Sequence, residues 1–246
     1  MLSRPSFAFT EKITLLTESL PPYQMLSKDK KITGFATDVI RQTMERSHYT
    51  SSLHLYPWAR SYNLALQKKN HCIFSIARLA VREKSFKWVG PLSKISNAVI
   101  YGLKKRNFDI QTLDDAKKYI IVVIRNNISH LGLLERGFVE GKNLYVLDDA
   151  KSLVSLLASR PEIDLIISDD ITIDYRAELA GMKSDELQRV FEIKELSLDF
   201  YFACSLQTDD NVIKHLSEKM ESLYLDGTYQ KIWEKWQNKF SYNKEP

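Results

Sequence analysis

Asp169 and Asp170 stand directly after the apolar run Asp164-Leu-Ile-Ile-Ser168. An acid that closes a buried strand lies at the strand's C-terminal edge, where its carboxylate can meet a cation; the alternative is that one of the two caps the next helix. Trp58 follows a strand-like run and Pro57. It offers a large flat apolar wall, unless core packing absorbs it. Arg78 and Arg82 lie four residues apart, with Arg60 earlier in the chain. A planar guanidinium meets a carboxylate through two parallel charged hydrogen bonds, or pairs with a neighbour such as Glu83. Asn126, Asn127 and Ser129 lead into a helical stretch. Free backbone N–H groups at such a place favour an anion, or are simply capped.

Other chemistries find little support. The five histidines (His48, His54, His71, His130 and His215) include no i, i+4 pair, so no metal site is expected. Cys72 and Cys204 form no C-x-x-C motif and each lies in an apolar run, which predicts two buried free thiols, with a disulfide between them as the alternative. No nucleophile–base pairing or Gly-rich phosphate loop is visible, so neither catalytic residues nor a cofactor are expected. Were the cleft to do chemistry, Asp169 and His130 would be the first candidates. Lys plus Arg (35) exceed Asp plus Glu (31) by four, and the densest basic triplet, Lys104-Lys105-Arg106, reads as a solvated turn. A nucleic-acid partner is therefore not expected. The 8 glycines and 7 prolines among 246 residues exclude collagen-like and linker-rich chains. No apolar run reaches the ~18 residues of a membrane span. Met1–Thr10 carries no intact signal peptide, which fits either a segment left after processing or a cytoplasmic start.

The elements that must position these residues alternate. Lys12–Thr17 reads as a strand, Thr37-Asp38 caps a helix to about Arg46, Ser52–Tyr56 is a strand, Ala59–Lys69 a helix and Cys72–Ile76 a strand. This order implies parallel strands covered by helices. A second unit starts with a strand at Asn97–Lys104. A short helix at Leu113–Lys118 follows, then strands at Tyr119–Ile124, Leu144–Leu147 and Asp164–Ile167, with helices at Ser129–Arg136, Asp149–Ser159 and Ile171–Ala180. A strand at Phe200–Ser205 and helices at Asp209–Asp226 and Tyr229–Trp236 pack back on the first layer. The pattern predicts two α/β lobes, residues 1–94 plus 200–246 and residues 95–199, crossed near residues 92–98 and 195–201. The ligand is expected where strand ends of both lobes face one cleft.

Several stretches together carry a resemblance. They are Thr17-Glu18-Ser-Leu20-Pro21-Pro22-Tyr23, Gly34-Phe-Ala-Thr-Asp38, Pro57-Trp58-Ala-Arg60, Arg78-Leu-Ala-Val-Arg82-Glu-Lys-x-Phe86-x-Trp88-x-Gly90-Pro91 and Asp226-Gly227-Thr228-Tyr229. In order and spacing over roughly residues 12–237, the chain resembles the bacterial extracellular solute-binding proteins of the polar-amino-acid type. The resemblance implies a type II periplasmic-binding-protein fold, in which two α/β sandwiches joined by two hinge crossings close around a small carboxylate-bearing solute. It also implies a monomer in the periplasm, its signal peptide removed, that hands the solute to an ABC permease or a membrane receptor. By the same resemblance, Arg82 holds the ligand's carboxylate and Ser75 assists it. Asp169 receives the ammonium, Trp58 stacks over the side chain, Tyr23 lies in the first binding loop, and Asn127 and Ser129 close from the second lobe. Departures are Leu20, where the family often has an aromatic, and Ala77 and Ile128, where it often has hydroxyls. Arg78, with Arg60 possible beside it, is expected to compensate, which would favour a ligand with more than one acidic group. Alternative roles on the same fold are a ligand-sensing module without an importer and a small-acid dehydratase.

Overall fold

A computed structural model of the chain describes residues 11–93, 97–150, 153–197 and 199–242. Met1–Thr10, residues 151–152 of one expected helix, and residues 94–96 and 198 of the two expected crossings lie outside the described residues.

Two five-stranded mixed sheets organise the molecule. In the first, β1 (Ile13–Thr17) pairs in parallel with β4 (Ser51–Leu55) and β5 (His71–Ala77). The short hairpin of β2 (Met25–Leu26) and β3 (Ile32–Thr33) lies apart from it. β12 (Phe200–Ser205) then runs antiparallel between β5 and β6 (Phe86–Ser93). The second sheet places β8 (Ile121–Ile124), β9 (Leu144–Leu147) and β10 (Leu165–Ser168) in parallel, with β7 (Asn97–Leu103) and β11 (Leu187–Ser197) antiparallel beyond β10. β8 (Ile-Val-Val-Ile) and β10 (Leu-Ile-Ile-Ser) are buried at every residue. That is the signature of parallel strands covered on both faces.

Helices cover the sheets. α1 (Phe35–Ser47) buries Phe35, Val39, Ile40, Thr43 and Met44, a helical stripe. It packs against α6 (Asp210–Leu225), whose stripe is Val212, Leu216, Met220 and Leu223. α7 (Thr228–Tyr242) adds Ile232 and Trp236 to the same core. α1 is entered through Gly34 at φ 137°, where a Cβ would lie 2.2 Å from the Tyr23 carbonyl oxygen, so only glycine fits. α2 (Trp58–Gln67) follows β4, and α3 (Ile128–Glu135), α4 (Leu153–Ser159) and α5 (Asp170–Leu179) belong to the second lobe.

One expectation needs correction, and two strands lie outside the sequence reading. Cys72 and Cys204 are not free thiols: they face each other across β5 and β12, with Cα atoms 3.9 Å apart, and are joined by a disulfide. Their antiparallel pairing depends on a strand that returns 132 residues later, which apolar context around each cysteine does not reveal. The segment Phe86–Ser93 forms a strand although it contains Gly90-Pro91, because β6 is an edge strand and tolerates a residue that cannot donate. β11, charged at Arg189, Glu192, Lys194 and Glu195, is the opposite case: an edge strand whose charges hide its pattern.

Candidate functional site

The C-terminal ends of the parallel strands of both sheets converge on one cavity of about 60 Å³. One buried water needs roughly 10–15 Å³ by this measure, so the cavity admits about four to six water-sized groups. Its first-lobe wall includes Glu18 and Leu20 after β1, Trp58 after β4, and Ser75, Ala77 and Arg82 on or after β5. Its second-lobe wall includes Asn127, Ile128 and Ser129 after β8, and Ser168, Asp169 and Arg176 after β10. Open α/β sheets place ligands at such strand ends.

Arg82 lies in a 3₁₀ turn, Ala80–Arg82, and is 2% exposed. One terminal nitrogen donates to the Ala77 carbonyl (3.1 Å) and the other to the Asn126 carbonyl across the cleft (2.6 Å). The guanidinium carbon lies 5.3 Å from the ring centres of both Trp58 and Tyr62. Its Nε is buried without a hydrogen-bond partner. An unpaired buried donor costs about 1–3 kcal/mol. Burial lowers the Arg82 pKa from its usual value, opposed by Tyr62 and Glu18.

Ser75 adopts φ 59°, a left-handed conformation unusual for serine. The ladder between β5 and β12 pairs Tyr201 with Ile76 and then Phe202 with Phe74, passing over Ser75. This bulge turns the strand end toward the cavity. The Ser75 hydroxyl donates to Gln24 Oε1 (2.8 Å), so its oxygen lone pairs stay free to accept. Trp58 opens α2 behind Pro57 and is 3% exposed, and its indole N–H donates to the Asn126 carbonyl (2.9 Å). It therefore serves both as cavity wall and as packing.

Asn127 caps α3, its side chain accepting from the His130 N–H, and both Asn127 and Ser129 line the cavity. Asp169 resolves the choice within the acidic doublet. Its Oδ1 accepts from the N–H groups of Ile171 and Thr172, capping α5, while the residue also lines the cavity. Capping and lining are thus compatible, since one oxygen does the first and Oδ2 is left to the second. Asp170 points elsewhere, to Tyr101 and Arg189. Ser168 lines the same wall with a buried, unpartnered hydroxyl.

Two charged residues of the cavity were not among the sequence candidates. Glu18 ends the apolar run of β1, and burial pushes its carboxyl up to about 7, against Arg176 and Arg82 and with Asp149 adding to the rise. Burial lowers Arg176, opposed by Glu18, Asp169 and Asp149. The signal that singled out Asp169, an acid directly after a buried strand, applies equally to Glu18. Arg176 lies inside a helix with nothing in its context to mark it.

Two sequence candidates lie off the cavity. Tyr23 is fully buried in the first-lobe core between Phe35 and Phe200, and burial raises its pKa, with Asp169 adding. Arg78 projects the other way, pairing with Glu83 (2.5 Å) and lying over Trp88 and Tyr201. Arg60 stacks on Tyr56 with its guanidinium 4.0 Å from the ring centre. Neither Arg78 nor Arg60 lines the cavity, so Arg78 does not provide the expected compensation; the second arginine of the cavity is Arg176.

Among solved structures, a histidine kinase sensor domain with similarity to periplasmic binding proteins superimposes with a TM-score of 0.81 at 20% identity, covering 92% of this chain and 95% of that one. An ancestral arginine-binding protein bound to arginine gives 0.80 at 17% identity, covering 92% and 97%. A putative L-cystine ABC transporter protein from Listeria monocytogenes gives 0.75 at 18%, covering 92% and 95%. At these identities the likeness shows the two-lobed periplasmic-binding-protein fold. No curated protein sequence matches. A family model describing bacterial extracellular solute-binding proteins, family 3, matches residues 13–239, and with nearly the whole chain inside that match the protein belongs to this family.

Proposed function

We propose that the protein binds a small zwitterionic solute of the amino-acid type between its lobes and delivers it to the permease of an ABC importer. The observation that carries this reading is that a cation, Arg82, and an acid, Asp169, line one cavity from its two opposite walls. Arg82 and Ser75 hold the carboxylate from the lobe of residues 1–94 plus 200–246. Asp169 takes the ammonium and the Asn127–Ser129 loop closes from the lobe of residues 95–199. Trp58 and Leu20 form an apolar wall, and Glu18 and Arg176 meet the solute's remaining polar groups. A ligand that touches both lobes stabilises the closed form by its differential affinity for it. The cycle is binding and release by a monomer, without bond-making, cofactor or nucleic acid. A disulfide-bonded core supports a periplasmic location, because such bonds persist in oxidising compartments. Among the described residues no helix is long and apolar enough to cross a membrane.

The high similarity to a sensor domain favours a second reading, in which the same closure signals to a membrane receptor rather than feeding an importer. A thermal-shift panel of amino acids, dicarboxylates and small cyclic acids tests the ligand class. The expected result is a concentration-dependent rise in Tm for at least one amino acid, abolished or sharply reduced in Arg82→Lys and Asp169→Asn. A panel in which no carboxylate stabilises the protein overturns the reading.

A further inference from the structure

Trp58 and Arg82 reach from the first lobe to one atom of the second, the Asn126 carbonyl oxygen, at 2.9 and 2.6 Å. Asn126 adopts φ 58°, the left-handed conformation that asparagine tolerates best among residues with a Cβ. This conformation directs its carbonyl to the first lobe while its N–H donates to His130 Nδ1 (3.0 Å). His130 is 2% exposed, and its Nε2 lies 3.0 Å from Glu140 Oε1. A backbone N–H only donates, so Nδ1 accepts and Nε2 carries the ring proton toward Glu140.

We infer that His130 is a positioning residue for lobe closure: its neutral ring holds the Asn126 peptide in the orientation that Trp58 and Arg82 grip across the cleft. A second ring proton would land on Nδ1, donor against donor, and break the bond to Asn126. The charged groups near the ring are Glu140 at Nε2, Arg125 (3.8 Å from Glu140, and also paired with Asp148) and Arg82 on the far side of the Asn126 peptide. Acid therefore loosens the grip that links the lobes, whatever solute the cavity takes, and the inference does not rest on the identity of the ligand.

The test uses the ligand-free protein between pH 8 and pH 5. Residue-resolved ¹⁵N NMR follows the His130 ring and the Asn126 amide, ¹³C NMR follows the Glu18 carboxyl, and small-angle X-ray scattering gives the radius of gyration. The expected result is an Nε2–H tautomer at pH 8, and an increase in radius with loss of Asn126 amide protection that tracks the His130 ring rather than Glu18. His130→Asn, whose Oδ1 takes the place of Nδ1 and accepts at any pH, should flatten both profiles. The inference is overturned if the His130 ring titrates while radius and Asn126 protection stay constant. An unchanged wild-type profile in His130→Asn overturns it as well. Should that variant fail to fold, the wild-type comparison alone decides.

Discussion

At the scale of single residues, the cavity sets two demands that can be measured apart. Arg82 has a geometric task, since a guanidinium presents a fork that an ammonium cannot copy. Arg82→Lys keeps the charge and loses the fork; hydrogen bonds to charged groups contribute about 1.5–3 kcal/mol, so solute binding should weaken roughly 10- to 100-fold by calorimetry. Glu18 has an electrostatic one. Its folded pKa, about 7, lies above the usual 4.5. The protonated form is the one the fold favours, so its contribution is fully present below about pH 4.5 and is lost as pH rises through 7. Glu18→Gln should therefore raise the Tm of the ligand-free protein at pH 8 and change it little at pH 5, with an upper bound of about 3 kcal/mol on the difference. An equal effect at both pH values would remove Glu18 as a buried titrating group. Residue types foretold much of the cavity lining, Trp58, Arg82, Asn127, Ser129 and Asp169, and the resemblance added Ser75. They did not foretell direction. Arg78 and Arg82 are chemically alike and four residues apart, yet one lies against Glu83 and the other lines the cleft. A side chain's bearing depends on where the strand ends and the 3₁₀ turn begins, which composition does not encode.

At the scale of elements, the parallel strands and the interior antiparallel strands β7 and β12 were legible in the sequence, and the antiparallel edges β6 and β11 were not. β8 and β10 are short unbroken apolar runs, because both faces are covered. β6 and β11 are edges, and carry the proline, glycine and charges that an edge permits. The antiparallel partner of β5 comes from so far along the chain that local pattern could not pair it. That pairing is what brings Cys72 opposite Cys204. A cross-link spanning 132 residues restricts the unfolded chain strongly, and its loss should cost about 2–5 kcal/mol. Cys72→Ala/Cys204→Ala should accordingly lower the urea midpoint and raise the slope, because the unfolded chain exposes more surface without the cross-link. If reduction and the double variant both leave the midpoint in place, the bond adds no stability.

At the scale of the whole molecule, solute binding and folding are linked by mass action. A solute at 100 times its Kd adds about 2.7 kcal/mol to the folded state. Titrating the best hit of the thermal-shift panel should reproduce that dependence, and a Tm that saturates at stoichiometric concentration without further rise would contradict simple linkage. The sheet order has one more effect. The first sheet draws on both halves of the chain, residues 13–93 and 200–205, whereas the second uses only residues 97–197. A ribosome therefore releases every strand of the second sheet before the first can be finished. At synthesis rates of about 5–20 residues per second, Cys72 waits roughly 7–26 seconds for its partner to emerge. Throughout that interval the nascent protein holds one half-built sheet with an unpaired thiol on its open flank, which makes this the stage at which a chaperone has most to act upon.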